Sequence, residues 1–220
     1  ALELLQGQVF TDPPGMTAGL VPELLAFARR LLGRADVPQT FVLNALVPVD
    51  FALWQLWNAK RGNGTFDALC ASFCPELTNR EKELGSIPLI TYHTPEDELH
   101  ALLEDGAFLL KVKIGSDPEK NGDPEAMLAW DIGRLRTVHT AAAGFTTPYT
   151  ECGRPVYYLD ANGRYPDREF LLRFLDAADK MDALERIVLL EEPFAGDRPE
   201  PVHGLPVRVA GDESAHSAQD

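Results

Sequence analysis

The residues with chemical potential in this sequence are two lysines and three acidic strand ends. Lys111 and Lys113 stand two apart within the apolar run 108–114. On a strand, side chains two apart share a face, so both ammonium groups project together from Cα atoms about 6.6 Å apart. An edge strand would give two surface lysines. The flanks Phe108, Leu109, Leu110 and Ile114 instead describe a buried central strand, and lysine is almost never buried without a task. Neighbouring ammoniums depress each other's pKa, which brings one toward the range of a base near neutrality.

The acids follow later apolar runs. Asp160 and Asn162 end the third run, Glu191-Glu192-Pro193 the fourth, and Gly211-Asp212-Glu213-Ser214 the fifth. A single acid at a strand end is more often a helix cap or a turn residue. Three in succession are harder to dismiss. Carboxylates brought within a few ångströms repel unless a cation neutralises them, and an all-oxygen set suits Mg²⁺ or Mn²⁺ rather than zinc. A divalent cation beside a lysine base is a device for taking a proton from the carbon next to a carboxylate. The charge that develops on the carboxylate oxygens is stabilised by the cation and by a neighbouring ammonium.

The elements that must position these groups change character near Ser86. Residues 1–87 read as helical. Pro22 opens one segment and Gly33 closes it; a second, 41–61, is apolar nearly all round and predicts a helix buried between layers, started or kinked by Pro48. A shorter helix covers 66–73. Residues 88–220 alternate strands (88–93, 108–114, 156–160, 187–191, 207–210) with helices (95–104, 124–143, 167–181). That alternation predicts right-handed βαβ units, a parallel sheet and an α/β fold. In a parallel barrel the C-terminal strand ends share one mouth, where chemistry sits. Periodicity leaves a barrel and an open sheet both possible, but neither G-x-G-x-x-G after the first strand nor G-x-x-x-x-G-K-[ST] occurs, which lowers the case for a nucleotide-binding sheet.

Composition excludes other classes. The 220 residues carry a net charge of −14 and no Lys/Arg stripe, against a nucleic-acid partner. No eighteen-residue apolar run occurs and the first residues lack a signal-peptide pattern, so a soluble, cytoplasmic protein without a membrane partner is the expectation. Three cysteines, Cys70, Cys74 and Cys152, suggest reduced thiols. Cys70 and Cys74 are spaced to share a helix face, and His93 and His100 do not complete a zinc set. Loop 144–154 reads as a surface or oligomer contact. His139, His203 and His216 read as structural or exposed.

Taken together, Lys111-Val112-Lys113-Ile114-Gly115, Asp160-Ala161-Asn162, Glu191-Glu192-Pro193 and Asp212-Glu213-Ser214 resemble the enolase superfamily, in its mandelate racemase / muconate lactonizing enzyme branch. They occur in that family's order, with spacings of 47, 31 and 21 residues from Lys113 through Asp160 and Glu191 to Asp212. The segment 48–54 also resembles the last long helix of the family's capping domain. The resemblance implies an incomplete (β/α)₇β TIM-like barrel (88–220) preceded by the helical part of an α+β capping domain (1–87). It implies Asp160, Glu191 and Asp212 as Mg²⁺ ligands (Mn²⁺ possible), Lys113 as the base, and Lys111 as the neighbour that tunes it and meets the substrate carboxylate. Asn162, Glu192, Glu213 and His93 are expected behind the ligands or against substrate, and Glu192 is the other choice of ligand at the fourth strand. The expected partners are a small carboxylate substrate and further copies of the same chain.

Five strands cannot close a barrel. The chain is therefore expected to be part of a longer protein, with strands six to eight and the opposite-face acid/base beyond Asp220. The expected reaction is Mg-dependent α-proton abstraction to a metal-stabilised enediolate, leading to racemisation or epimerisation, dehydration or cycloisomerisation. The rivals are a metal-dependent barrel aldolase or hydrolase that ignores the lysines, and a non-catalytic metal-binding member of the family.

Overall fold

The computed structural model describes residues 2–78 and 83–215; His216 lies outside them. The chain divides into two compact units between Glu83 and Leu84.

The first unit is helical: α1 (Leu2–Leu5), α2 (Pro13–Leu32), α3 (Gln39–Lys60) and α4 (Phe66–Phe73). Asp12 starts α2 by accepting the Gly15 N–H at 2.7 Å, ahead of Pro13 at the first helical position. Gly33, in the left-handed conformation, ends it. Pro22 therefore lies inside α2 and does not open it, because the Asp12-Pro13 signal precedes it. Likewise α3 starts before Pro48 and runs through it. Leu20, Val42 and Leu46 form a small core with Leu24, Leu25 and Val49 packed on it, and Thr17 donates to Asp50 at 2.7 Å.

The expectation that α3 is buried all round is overturned. Val42, Leu46, Leu53 and Trp57 are buried, but Phe41, Val47, Phe51 and Leu56 are exposed. One side packs within the unit and the other is apolar without cover. By length and composition alone α3 also passes as a membrane-crossing helix. Cys74 caps α4 instead of continuing it, so Cys70 and Cys74 do not share a helical face.

The second unit is α/β. It comprises β1 (Leu89–Ile90), α5 (Glu96–Glu104), β2 (Leu109–Lys113), α6 (Pro124–Ala141), β3 (Val156–Asp160), α7 (Arg168–Lys180), β4 (Ile187–Glu191) and β5 (Val209–Ala210). All pairings are parallel, in the order β1-β2-β3-β4-β5. This is the unclosed arc of a β/α barrel, each strand lying beside the next one in sequence.

Alternation sets the two faces of the sheet. Leu110, Val112, Tyr157, Leu159, Ile187 and Leu190 enter the main core with Leu99 of α5, Leu128 and Leu135 of α6 and Phe174 of α7. The opposite face carries Lys111 and Lys113 on β2, Tyr158 and Asp160 on β3, and Leu189 and Glu191 on β4, aligned by register. That face is not an apolar run: β2 alternates between buried and half-buried residues. Between Tyr157 and Tyr158 the register to β4 shifts, leaving Val188 as an extra residue.

Candidate active site

The polar face converges at the C-terminal ends of β2, β3 and β4. Lys113 and Asp160 are paired residues in the β2–β3 register, and Asp160 and Glu191 in the β3–β4 register. Lys113 Nζ reaches Asp160 Oδ2 at 2.5 Å and Asn162 Oδ1 at 2.7 Å. Lys111 Nζ reaches the same Asp160 Oδ2 at 2.9 Å and pairs with Glu191 Oε2. Asp160 and Glu191 are buried, whereas about a quarter of each lysine side chain meets solvent. A mouth with two accessible ammoniums over two buried carboxylates results.

These pairs set the charge states. Burial pulls Lys111 down, but hydrogen bonds and charge from Glu191 and Asp160 outweigh it and raise its pKa. For Lys111 this corrects the expectation of a depressed value: the carboxylates across the register dominate. Burial likewise pushes the Asp160 carboxyl up, and the hydrogen bonds and charges of Lys113 and Lys111 overcome this and hold it below the usual range.

Asn162 links Lys113 to the fifth strand end. Its N–H donates to Asp160 Oδ1 at 3.1 Å. Its Oδ1 accepts from Lys113, and its Nδ2 donates to Glu213 Oε1 at 2.6 Å. Asn162 has φ +46°, a left-handed conformation that asparagine tolerates better than most residues. The bonds on both sides of its amide fix it there.

Glu192 contacts the turn that follows β5. It is buried, with φ +41°, and its Oε2 accepts the Asp212 N–H at 2.6 Å, the Ser214 N–H at 3.3 Å and the Ser214 hydroxyl at 3.0 Å. It shapes the turn that carries Asp212 and Glu213 instead of facing the lysines. Asp212 is exposed. Its carboxyl is pushed up by partial burial and then by the charges of Glu213 and Glu191. His93 is exposed in the turn after β1, its N–H on Thr91 Oγ1, and the structure does not bring it to the lysine–carboxylate cluster.

Among the described residues no three His, Cys, Asp or Glu side chains stand together as a metal-holding group. The Lys111 ammonium bridges Asp160 and Glu191, and Asp212 lies beside Glu191. The donor chemistry still fits a hard divalent ion. Asp160, Glu191 and Asp212 are all oxygen donors, and Asp212 feels the negative charge of Glu213 and Glu191 in addition to its partial burial, a charge that a cation would offset.

Two residues escaped the sequence reading. The Tyr158 ring lies 4.8 Å from Lys111 Nζ, on the same face as Asp160, and the position two before that acid was the available signal. Asp131 of α6 is fully buried. Its Oδ2 accepts the Gly115 N–H at 2.8 Å and the Tyr165 hydroxyl at 3.0 Å, and its Oδ1 accepts the Ser116 N–H at 3.2 Å. It ties the loop leaving Lys113 to the loop leaving Asp160. Its signal was an acid on the apolar stripe Leu128, Leu135, Val138.

Among solved structures the chain is similar to a mandelate racemase/muconate lactonizing enzyme from Bordetella bronchiseptica RB50. The match has a TM-score of 0.55 at 20% identity and covers 96% of this chain and 50% of that one. Weaker likenesses are an N-succinyl Arg/Lys racemase from Bacillus cereus (TM-score 0.41, 15% identity, 60% and 32% covered) and an O-succinylbenzoate synthase from Thermosynechococcus elongatus, solved with Mg in its active site (0.35, 21%, 54% and 31%). The chain spans about half the length of the Bordetella structure it matches. The first likeness shows the fold: β/α units of an incomplete barrel. No family profile and no curated protein matches.

Proposed function

We propose that this chain bears one face of an active site that removes the proton next to a carboxylate group. The observation behind this reading is the pairing of Lys111 and Lys113, on one face of β2, with the buried carboxylates Asp160 and Glu191 at the ends of the next two strands. The motif resemblance and the barrel-like fold support it.

In this reading Asp160, Glu191 and Asp212 would hold Mg²⁺, or Mn²⁺. When bound, the ion supplies positive charge as negative charge grows on the substrate carboxylate. Lys113, as its free amine, receives the proton; the C–H electron pair moves into the carboxylate and leaves an enediolate. Asn162 orients Lys113 Nζ, itself held by Glu213. Lys111, whose pKa is raised, stays an ammonium and attracts the substrate carboxylate. Racemisation, epimerisation, dehydration and cycloisomerisation share this step, and residues on the other face of the substrate would choose among them.

The test is proton NMR of the intact protein in D₂O with Mg²⁺ and a panel of acids: mandelate, N-succinyl amino acids and aldonic acids. Loss of the α-proton signal is expected for at least one of them. The Lys113→Ala variant should slow that exchange by roughly 10²–10⁴-fold. Exchange that survives in the variant overturns the role of Lys113, and a panel without exchange in the parent protein overturns the reaction class.

A further inference from the structure

A crevice of about 780 Å³ opens among the loops that follow β1, β2 and β3, beside the start of α6. Its volume is that of a small-molecule site. The chain carries a net charge of −14, yet this crevice is lined by Lys120, Arg164 and Arg198 against Asp117 and Asp123. Both acids already serve the backbone. Asp117 accepts the N–H groups of Asn121 and Gly122 at 3.2 and 2.9 Å, and Asp123 that of Glu125 at 2.9 Å.

The cations are not so engaged. Among the described residues neither Lys120 nor Arg198 forms an ion pair. Arg164 uses only Nη1, which donates to the Tyr92 hydroxyl at 3.2 Å and the Gly115 carbonyl at 3.1 Å. Those bonds hold the guanidinium against the loops and keep its remaining donors for a ligand.

Ser116 gives an independent sign of a ligand. It lines the crevice and is 7% exposed. Its N–H is bound to Asp131, but its hydroxyl has no partner among the described residues. The hydroxyl is thus free to donate to a ligand in the crevice. Helix α6 itself adds little, since Pro124 at its first position has no N–H and Asp123 caps the next one.

We propose that this crevice binds a phosphate group, free or as the monoester of a small molecule. Ser116 would donate to a phosphate oxygen, Arg164 in two-pronged fashion, and Lys120 and Arg198 would supply charge. Lys111, Lys113, Asp160 and Glu191 do not line this crevice, and the proposal does not rest on the reaction proposed above.

The test is calorimetric titration of the intact protein with inorganic phosphate, glycerol 3-phosphate and citrate. The variants are Ser116→Ala, the double variant Lys120→Gln/Arg198→Gln, and Lys113→Ala. Both exposed cations lack ion pairs, so the double variant should fold, which circular dichroism verifies. Binding of phosphate should weaken by roughly tenfold for each cation removed and by several-fold in Ser116→Ala, and stay unchanged in Lys113→Ala. Tighter binding of glycerol 3-phosphate assigns the rest of the crevice to an organic ester, and equal binding assigns it to free phosphate. The proposal is overturned if phosphate does not bind or citrate binds in preference to both phosphates. It is equally overturned if the double variant binds phosphate like the parent, or if Lys113→Ala alone abolishes binding.

Discussion

Replacing Asp131 by asparagine isolates the electrostatic cost of the brace behind Lys113. Burial is the largest influence on this carboxyl and pushes it from 3.8 up to about 6; the bonds from Gly115, Ser116 and Tyr165 and the charge of Arg164 pull the other way and lose. The sign follows. An acid whose pKa is raised on folding favours the folded state when protonated, so its contribution is fully present below pH 3.8 and is lost as pH rises through about 6. The loss amounts to about 3 kcal/mol at neutrality. Asparagine stays neutral throughout. It can keep the Gly115 and Tyr165 bonds on its carbonyl oxygen, but its amide nitrogen then meets the Ser116 N–H, at a pH-independent cost of about 1–3 kcal/mol. Urea unfolding of parent and variant from pH 3.5 to 7.5 reads both effects. The difference in unfolding free energy should move by about 3 kcal/mol in favour of the variant as pH rises, while every other titrating group cancels. A difference that is flat with pH, or that moves against the variant, would refute burial as the dominant influence.

Two further outcomes follow from the same framework. Gly115 has φ +77°, and a Cβ there would lie 2.9 Å from the Ala161 carbonyl oxygen; Gly115→Ala should destabilise by at least about 1–2 kcal/mol in urea unfolding and weaken any activity that depends on Lys113. Phe174 is fully buried between α7 and the sheet, so Phe174→Ala should cost about 3–5 kcal/mol by the same measurement.

Much of the second unit was legible because its strands are short apolar runs between turn residues. The bounds of β3 and β4 match the reading from sequence. The first unit was less legible for an identifiable reason. Proline marks a helix start only when no stronger signal precedes it, and Asp12-Pro13 precedes Pro22. An all-round apolar α3 says that cover is wanted, not that this unit supplies it. At the site, residue types and spacing were visible but counter-charges were not. The two lysines looked like each other's nearest influence, whereas the register places Asp160 directly opposite Lys113 and Glu191 within reach of Lys111.

The placing of Glu191 shows why strand-end acids do not by themselves define a site. Ile187 pairs with Tyr157, and both belong to the helix-side core. Strict alternation from Ile187 would return residue 191 to that same side, away from the lysines. The structure interposes Val188, so Leu189 pairs with Tyr158 and Glu191 with Asp160. That extra residue turns Glu191 across the sheet to Lys111. Nothing in the residue types of Ile187-Val188-Leu189-Leu190-Glu191 announces the irregularity. The cluster of two lysines and two buried acids thus depends on a backbone feature that residue identity does not encode, and the motif succeeds as a guide only because the bulge keeps its acid in phase with Asp160.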